Sequence, residues 1–405
     1  MKTVVLITDA FPYSSITENS FISPEIESLS KSFDRVIIAP RKKMGDKLDM
    51  LSFPNNVEIS DAMLIDASLK NKIKGIIGKS KAIAYDILHS HGNLRKILAY
   101  TSFVGISVNN IKRLIKEKNI DFNNTLFYTF WFDFTTAALT YFPEAKFITR
   151  AHGHDLYEDH YFISPWWRRA TLKKMLKCYC ISKAGTKYLS NKYPEYSHKI
   201  ACRLLGTTRL GEKSVPQHEK DTTASSLTLV GIARVSPEKG VIRQVEFVKK
   251  FAEYNPEIKI EYIHIGDGPL MKKLQELSST SPDNLRLDLK GALHNSEVHK
   301  FLLSTDIDAL LLLSYTEGLP FVLCEAISYG IPYIATNVGG IKEIVPESLL
   351  PLVSEKCSFT EFNSILKSLS SSPKLNYQLK EYWKKTFDAE KLRSQFTMEI
   401  RKLID

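Results

Sequence analysis

The chain has 405 residues, which is too many for one ordinary hydrophobic core and predicts two domains of similar size. Its hydrophobic content of 43% and charged content of 25% are typical of a soluble globular protein, and no apolar run is long enough to predict a membrane span. The five cysteines form no CxxC pair, and the strand-like start soon meets Asp9 and Pro12. We therefore expect reduced thiols, no signal peptide and a cytoplasmic location.

The net charge of +10 is unevenly distributed. Residues 67–116 contain ten Lys or Arg and a single acidic residue, Asp86, and the segment 166–177, which begins with Trp166-Trp167, contains five Lys or Arg and no acidic residue. This asymmetry predicts an anionic partner, which could be a phospholipid, a phosphorylated substrate or a nucleic acid.

The first part of the chain, residues 1–205, begins with the apolar strand Val4–Ile7. A loop follows it, then a helical pattern from Ile22 to Leu29, and then the strand Val36–Ala39. Short apolar runs that alternate with amphipathic segments are typical of parallel sheets with crossover helices. We expect residues 1–205 to form a Rossmann-like domain.

Three further segments follow in the predicted organisation. Residues 206–226 are polar and rich in turn residues, which indicates an interdomain linker. Residues 227–376 again alternate strand and helix, starting with the strand Leu227–Ile232, and predict a second Rossmann-like domain. Residues 377–405 have helical apolar spacing after the last core strand, so we expect C-terminal helices that pack back on the N-terminal domain.

Two carboxylates, with seven residues between them, flank a predicted strand-to-helix loop. Glu317 precedes Gly318 and Pro320, and Glu325 lies about a turn and a half into the helix that Pro320 begins. The first N–H groups of that helix suit a diphosphate, a carboxylate inside the helix can accept bonds from ribose hydroxyls, and one in the loop can meet a sugar ring. Taken alone, such a pair is more often a solvated loop residue and a helix-surface charge.

Three other motifs follow strands of the same half. Arg234 and Lys239 come after its first strand. The planar guanidinium of Arg and the ammonium of Lys are the usual groups that bind phosphate oxygens. Gly268, within Gly-Asp-Gly-Pro, follows the second strand, and Gly339 and Gly340 follow a later one, where glycines permit close approach of a ligand. Because ligands of open α/β sheets bind beyond the carboxyl ends of the strands, we expect four loops to converge on one crevice.

This motif set resembles the signature of the family 4 glycosyltransferases of the GT-B fold, in particular those of bacterial polysaccharide biosynthesis. The segments that carry the resemblance are GIARVSPEKG, GDGP, EGLPFVLCEA and TNVGG, between Leu227 and Val345. The resemblance implies an α/β protein with two Rossmann-like domains facing across a cleft. It also implies retaining transfer of a hexosyl or N-acetylhexosaminyl group from a nucleoside-diphosphate sugar, a UDP-sugar, to a glycan or lipid-linked acceptor, without a metal ion or other cofactor.

The same resemblance implies a role for each motif residue. Arg234 and Lys239 would hold the diphosphate and stabilise the leaving group. Glu317 would face the donor sugar, and Glu325 would bind the ribose hydroxyls. The remaining donor-binding positions are Gly268, Gly318, Leu319, Pro320, Phe321, Gly339 and Gly340.

His152 is the matching candidate in the N-terminal, acceptor-side domain. It follows a predicted strand and corresponds to the HG-x-D position of the family, which implies a bond to a donor-sugar hydroxyl. The alternative is a loop histidine bonded to the backbone, and the role of His154 stays open. The chain departs from the family in its first loop, where Phe11-Pro12-Tyr13 and the later Glu18 replace a common Gly-Gly pair, so no ligand contact is predicted there.

Asp306-Ile307-Asp308 resembles the DxD metal motif of the other major glycosyltransferase fold. It lies between a predicted helix and a predicted strand, where a structural role is favoured. No His/Cys cluster has metal-ligand spacing, so we predict no metal site.

Apolar residues from Leu69 to Ile87 recur at helical spacing among five lysines. This pattern predicts a basic amphipathic helix that either lies on an anionic bilayer or packs its apolar side on the N-terminal core. The resemblance favours an anionic membrane surface as a partner, because relatives act on lipid-linked acceptors. It also implies peripheral attachment to the inner face of the plasma membrane and a role in building the cell envelope.

Two other functions stay open at this point. A nucleotide-sugar epimerase of similar two-domain build would act on the donor alone. A basic nucleic-acid-binding protein would explain the charge, but the aromatic residues are not arranged as a stacking platform and the Glu, Arg and Gly motifs would have no purpose.

Overall fold

The structure is a computed structural model that describes residues 1–13, 16–45, 52–90, 92–158, 162–212, 226–345, 348–369 and 373–405. It divides into two compact units: Met1–Leu205 with Lys391–Asp405, and Gly206–Glu390. Each unit has its own sheet. Most of the predicted linker, 213–225, lies outside the described residues.

The first unit is built on a seven-stranded parallel sheet. Its strands are β1 (Thr3–Thr8), β2 (Arg35–Pro40), β3 (Val57–Ile59), β4 (Thr125–Thr129), β5 (Lys146–Ala151), β6 (Lys177–Cys180) and β7 (Ile200–Cys202). They lie in the order β3-β2-β1-β4-β5-β6-β7. Helices cover both faces of such a sheet, which is why β1 and β4 are buried along their whole length and read as continuous apolar runs.

Eight α-helices of the described residues 1–205 connect these strands. They are α1 (Ile16–Ser32), α2 (Leu69–Ile76), α3 (Ser80–His89), α4 (Leu94–Lys118), α5 (Phe134–Ala138), α6 (Gly153–Leu156), α7 (Pro165–Lys174) and α8 (Lys183–Lys192). The single basic helix predicted from Leu69 to Ile87 is therefore wrong, because the chain forms two helices. Gly78, with φ 76°, adopts a left-handed conformation between them and interrupts the helical hydrogen bonds.

The second unit is built on a five-stranded parallel sheet. Its strands are β8 (Ser226–Ile232), β9 (Lys259–Ile265), β10 (Leu285–Gly291), β11 (Ala309–Leu312) and β12 (Tyr333–Ala335), in the order β10-β9-β8-β11-β12. Its helices are α9 (Val241–Tyr254), α10 (Met271–Ser278), α11 (Asn295–Ser304), α12 (Phe321–Ser328), α13 (Ile341–Ile344), α14 (Phe359–Ser368) and α15 (Pro373–Thr386). The predicted α/β class with two Rossmann-like domains is confirmed.

The C-terminal segment forms two helices, since the chain bends at Phe387 and Asp388 between α15 and α16 (Ala389–Arg401). The end of the chain completes the core of the first unit. The Phe396 ring lies 5.6 Å from that of Tyr128 and 5.1 Å from that of Tyr179. In the described part of the chain, no helix has both the length and the apolar character that crossing a membrane requires.

Candidate functional site

Most predicted residues of the second unit lie in loops at the carboxyl edge of its sheet, and Phe321 and Glu325 lie in the helix α12 that follows one of these loops. The chain leaves β8 towards β9 and β10 and later returns to β11 on the other side of β8, which makes the gap between β8 and β11 a topological switch point. Ligands of open α/β sheets bind beyond such a point. Lys239 follows β8 and Glu317 follows β11, and they form an ion pair with an Nζ–Oε2 distance of 2.8 Å. The structure therefore brings these two residues together.

Glu317 is not a solvated loop residue. Its side chain is only 4% exposed, and its second oxygen, Oε1, accepts a hydrogen bond of 2.7 Å from the Ser314 hydroxyl. The Lys239 side chain remains 28% exposed. The carboxylate therefore holds an ammonium group that still reaches solvent, which suits a cation that must meet a ligand.

Arg234 lies in the same loop as Lys239 but does not contact the ion pair. Its neighbour Val235 is fully buried and anchors the loop, whereas the Arg234 side chain is exposed. The Arg234 carbonyl accepts the N–H of Ser236 at 2.9 Å, whereas its side chain forms no hydrogen bond or ion pair within the described residues. Its guanidinium is thus available for a ligand.

Gly268, Gly339 and Gly340 are explained by contacts between the four loops. A Cβ on Gly339, where φ is 51°, would lie 1.8 Å from the carbonyl oxygen of Glu317. The Gly340 N–H donates to the Gly318 carbonyl at 2.9 Å. A Cβ on Gly268 would lie 2.5 Å from the carbonyl oxygen of Val235. The four predicted loops therefore pack on one another, and this packing requires glycine before any ligand is considered.

The loop between β11 and α12 leaves open space where the donor-binding positions are predicted. A Cβ on Gly318 would meet no atom within 4 Å. Leu319 follows it, and Pro320 is the N-cap of α12, one residue before the first helical residue, Phe321. Pro320 thus precedes the helix and does not lie in its first turn, which corrects the sequence prediction. The N-terminal N–H groups of a helix lack partners within the helix and attract anions.

Glu325 is not a helix-surface charge, because it is only 9% exposed. Asn295 donates to its Oε1 at 3.4 Å, and the His299 Nε2 lies 3.6 Å from the same oxygen. Burial raises the pKa of the Glu325 carboxyl, and the bond from Asn295 partly offsets this. Sequence analysis missed Asn295 and His299, because both come from α11, which follows β10, and no spacing relates them to Glu325.

His299 is oriented by a further hydrogen bond. Its Nδ1 lies 3.1 Å from the Tyr329 hydroxyl, which accepts the N–H of Leu210 at 3.0 Å. The Tyr329 hydroxyl thus links the backbone of Leu210 to the His299 ring, whose Nε2 faces Glu325. Burial lowers the pKa of His299, which keeps the ring neutral.

His152 lies at the carboxyl end of β5 in the first unit and is 8% exposed. Its ring lies 4.3 Å from the Trp131 ring and 4.8 Å from the Phe130 ring. The Asp155 Oδ2 atom lies 3.5 Å from Nδ1, yet both buried ring nitrogens have no hydrogen-bond partner within the described residues. His152 is also the N-cap of α6, in a capping-box arrangement in which its side chain faces the N–H of Asp155, so the alternative of a ring bonded to the backbone stays a prediction. A buried imidazole without hydrogen bonds is costly, and it points to a ligand that supplies them.

Asp308 lies at the opposite, amino edge of the second sheet. Its carboxylate accepts the N–H of Thr228, at the start of β8, at 2.7 Å. This bond agrees with the structural role expected for the Asp306–Asp308 motif. Among the residues that the structure describes, no group of three or more His, Cys, Asp or Glu side chains is placed to hold a metal ion.

Comparison with known proteins finds similarity to one family in the second unit. Residues 215–386 match the family described as "Glycosyl transferases group 1". One component of the phosphatidylinositol N-acetylglucosaminyltransferase of Arabidopsis thaliana is 29% identical over 150 residues, which cover 37% of this chain and 32% of that protein. A putative teichuronic acid biosynthesis glycosyltransferase, TuaC of Bacillus subtilis, is 28% identical over 115 residues, or 28% of this chain and 26% of that one. The chain thus matches about a third or less of the length of these curated relatives.

The fold is similar to that of a solved structure over the whole chain. The crystal structure of Anabaena Alr3699/HepE in complex with UDP has a TM-score of 0.62, and the likeness covers 99% of this chain and 100% of that one. The identity is 14%, so this likeness concerns the fold alone. The chain therefore has the GT-B fold, and its residues 215–386 are similar to the glycosyl transferases group 1 family.

Proposed function

We propose that the chain is a glycosyltransferase that moves a sugar from a nucleoside-diphosphate sugar to an acceptor. The observation that carries the proposal is the Lys239–Glu317 ion pair at the switch point of β8 and β11, inside the matched family domain. The exposed Arg234 in the same loop and the buried Glu325 on α12 supply the other groups that such a donor needs. The names of the curated relatives support the same reaction class.

In this proposal Arg234 and Lys239 neutralise the charge that develops on the diphosphate as the sugar leaves. Glu317 keeps Lys239 in place, and Glu325 accepts bonds from the ribose hydroxyls. We infer UDP as the nucleotide, because the similar Anabaena structure is a complex with UDP. We further propose the retaining chemistry of family 4, a hexosyl or N-acetylhexosaminyl donor, and a bond from His152 to a sugar hydroxyl.

Arg234→Ala tests the proposal, after a thermal-shift screen of nucleoside-diphosphate sugars has found a donor. Loss of a contact to the leaving group costs on the order of 3 kcal/mol, so the turnover should fall by about a hundredfold or more. Arg286→Ala removes an arginine of the same unit whose side chain is 74% exposed, and it is the matched control. A near-normal rate for Arg234→Ala would remove this assignment. Conversion of the nucleotide sugar into an epimer without an acceptor, and without net release of nucleotide, would favour the epimerase.

We also propose that the transfer needs no metal ion, since two cationic side chains can supply the positive charge that a metal would bring. Activity should therefore persist when the protein is dialysed against EDTA and assayed in its presence. Loss of activity on chelation, with recovery on adding Mg²⁺ or Mn²⁺, would contradict this part of the proposal.

A separate observation supports a membrane partner. Helix α2 packs closely on α4, since a Cβ on Gly75 would lie 2.3 Å from the carbonyl oxygen of Ser102 and one on Gly105 would lie 2.2 Å from that of Gly75. The apolar residues on the other side of α2 are therefore turned away from the unit: Leu69 is 74% exposed and Ile73 55%. The alternative in which this side packs on the core is not borne out.

These residues belong to a larger surface on α2, α3 and the start of α4, which we call the apolar-basic surface. Its exposed apolar members are Leu69, Ile73, Ile77, Ile87, Leu88 and Leu94, and its exposed basic members are Lys70, Lys74, Lys81, Arg95 and Lys96. Asp86, the one acidic residue of this region, is fully buried and accepts bonds from the Ser164 hydroxyl and the Trp166 N–H. The surface thus combines exposed apolar side chains with exposed basic ones.

We propose that the apolar-basic surface binds an anionic membrane, which places the enzyme on the inner face of the plasma membrane and favours a lipid-linked acceptor in cell-envelope polysaccharide synthesis. Sedimentation with vesicles of neutral lipid, with and without anionic lipid, tests this partner. Ile73→Ser with Ile77→Ser should weaken binding to anionic vesicles, and added salt should weaken the wild type, because lipid attraction is partly electrostatic. Tyr254→Ser, at a residue 67% exposed in the second unit, is the control. Equal binding to neutral and anionic vesicles would refute the proposal.

A further inference from the structure

Glu18, near the start of α1, is a buried carboxylate that accepts hydrogen bonds from two different loops. It is 2% exposed. Its Oε1 accepts the N–H of Asp9 at 2.8 Å, and its Oε2 accepts the N–H groups of Ala10 at 2.7 Å and Phe11 at 2.8 Å. The Trp131 indole N–H also donates to Oε1, at 2.6 Å. From the described residues, each oxygen of the side chain thus accepts at least two hydrogen bonds.

These bonds lie at the switch point of the first unit. Strands β1 and β4 are neighbours in its sheet, and the connections of the chain leave them in opposite directions. Residues 9–11 follow β1 and Trp131 follows β4. Glu18 therefore ties together the two loops that flank the position where a sheet of this kind binds its ligand.

The three successive N–H groups of residues 9–11 form a concave arrangement of the kind that binds anions. In this chain the anion is internal, because the Glu18 carboxylate accepts all three N–H groups. A phosphate group cannot take the same donors while Glu18 is in place. The loop therefore offers a ligand no free anion site at these amides.

Trp131 links Glu18 to His152, because its indole N–H bonds to Glu18 and its ring contacts the His152 ring. Its ring lies 4.3 Å from the His152 ring, and the imidazole nitrogens have no hydrogen-bond partner within the described residues. An indole ring without a fixed N–H could turn about its side-chain bonds and release the imidazole. The bond from the indole N–H to Glu18 opposes that rotation.

We propose that Glu18 is a positioning residue: by holding the Trp131 indole against the His152 imidazole and occupying the amides of residues 9–11, it creates a fixed site for an uncharged sugar hydroxyl at the switch point of the first unit. The role in turnover rests on the proposed glycosyltransferase function. The hydrogen bond from Trp131 to Glu18 and the occupation of the amides of residues 9–11 by the Glu18 carboxylate do not rest on that function. They can therefore be tested separately.

The first experiment uses the indole N–H signals of the four tryptophans in the ¹⁵N-labelled full-length protein. Trp131→Phe identifies the signal of Trp131 by its disappearance. In Glu18→Gln this signal should shift markedly while the other three stay in place, because a bond to a carboxylate is stronger than one to an amide. An unmoved Trp131 signal would overturn the proposal, whatever the enzyme's activity.

Inorganic phosphate tests the internal anion with the same signal. In Glu18→Ala, phosphate can replace the lost carboxylate, so the Trp131 signal should move on titration at constant ionic strength. The wild-type signal should not move. A phosphate-dependent shift in the wild type, or none in folded Glu18→Ala, would contradict the occupied-amide part of the proposal. If Glu18→Ala does not fold, the wild-type titration still tests whether the amides are occupied, and the Glu18→Gln spectrum still tests the bond to Trp131.

The second experiment is a double-mutant cycle on kcat/KM and KM for the donor. If Glu18 acts through Trp131, then Glu18→Gln and Trp131→Phe should each lower kcat about tenfold, and together also about tenfold, not about a hundredfold. KM should change little, because the donor's diphosphate is held elsewhere. Trp383→Phe, which removes an indole bond of 2.8 Å to Thr207 in the second unit, is the control and should show no coupling with Glu18→Gln. Multiplicative effects of Glu18→Gln and Trp131→Phe would refute the positioning role.

Discussion

Among single side chains, Lys239 and Arg234 share a proposed role but differ in environment. Lys239 is paired with the buried carboxylate of Glu317, whereas Arg234 is exposed and has no ion-pair partner within the described residues. We therefore expect substitution of Lys239 to disturb the folded protein and substitution of Arg234 to leave it intact. This difference separates loss of function from loss of stability.

We expect Lys239→Ala to lower both turnover and stability, since it leaves the Glu317 carboxylate buried without its cation. The stability loss should be about 1–3 kcal/mol, less than for a fully buried pair because Lys239 is partly exposed. Arg234→Ala should change stability by less than about 0.5 kcal/mol. Urea denaturation and a donor assay measure the two effects. Lys239→Ala with Glu317→Gln should recover stability without recovering turnover, and equal stability of all variants would contradict the pairing.

Glu325 provides a pH-dependent prediction. Its pKa is raised in the folded protein, so the folded state binds this proton more tightly than the unfolded state does. The contribution of this group to stability is therefore greatest below the unfolded pKa and is lost as the pH rises through the folded pKa. Glu325→Gln, which stays neutral, should gain stability relative to the wild type as the pH rises above about 4, where an unfolded Glu carboxyl ionises. A difference in unfolding free energy that does not vary with pH would contradict the raised pKa.

At the scale of elements, the site depends on how the loops after neighbouring strands pack. Gly339 and Gly318 are both predicted donor-binding positions, yet only Gly339 is enclosed by backbone. The packing of the β12 loop on the β11 loop thus fixes the conformation that Glu317 adopts.

We expect Gly339→Ala to destabilise the second unit by about 1–3 kcal/mol, because the left-handed φ and the contact with the Glu317 carbonyl both oppose a Cβ. Gly318→Ala is the matched control, since a Cβ there meets no atom within 4 Å and should leave stability within about 0.5 kcal/mol. Thermal unfolding with and without donor distinguishes the two. Similar midpoints for both variants would show that the loops do not pack as described.

For the whole molecule, the chain returns to the first unit at its end. Phe396 and Ile400 of α16 are buried in the same core as Val4 and Leu6 of β1. The Phe396 ring also covers the buried Arg150–Glu25 ion pair, with the Arg150 guanidinium carbon 4.0 Å from the ring centre. The first unit is therefore complete only when the last helix has been made.

Phe396→Ala should destabilise the first unit by about 3–5 kcal/mol, because it opens a cavity in this core and uncovers a buried ion pair. Met398→Ala lies on the same helix, where Met398 is 53% exposed, and should change stability little. Chemical denaturation followed by tyrosine or tryptophan fluorescence measures the difference. A similar loss for both variants would mean that α16 does not pack through Phe396.

The sequence by itself predicted the parallel sheets, most of their strands and the residue types at the carboxyl edge of the second sheet, but not β3, β4 and β7. Apolar periodicity and turn residues are local properties, so the bounds of α9 and β12 follow from short windows of the chain. The motif around Glu317 and Glu325 is also contained in one short segment, which is why it could be identified before any tertiary structure.

Only the tertiary structure decided which side chains meet and which are buried. The Glu18–Trp131 bond joins residues that are far apart in sequence, and it forms because β1 and β4 are neighbours in the sheet. Likewise, the spacing of Leu69 and Ile73 cannot reveal the side that faces the core, which is set by the contact of Gly75 with α4. Local sequence limits the backbone conformation of each segment. The burial and the hydrogen-bond partners of its side chains depend on which other segment packs against it.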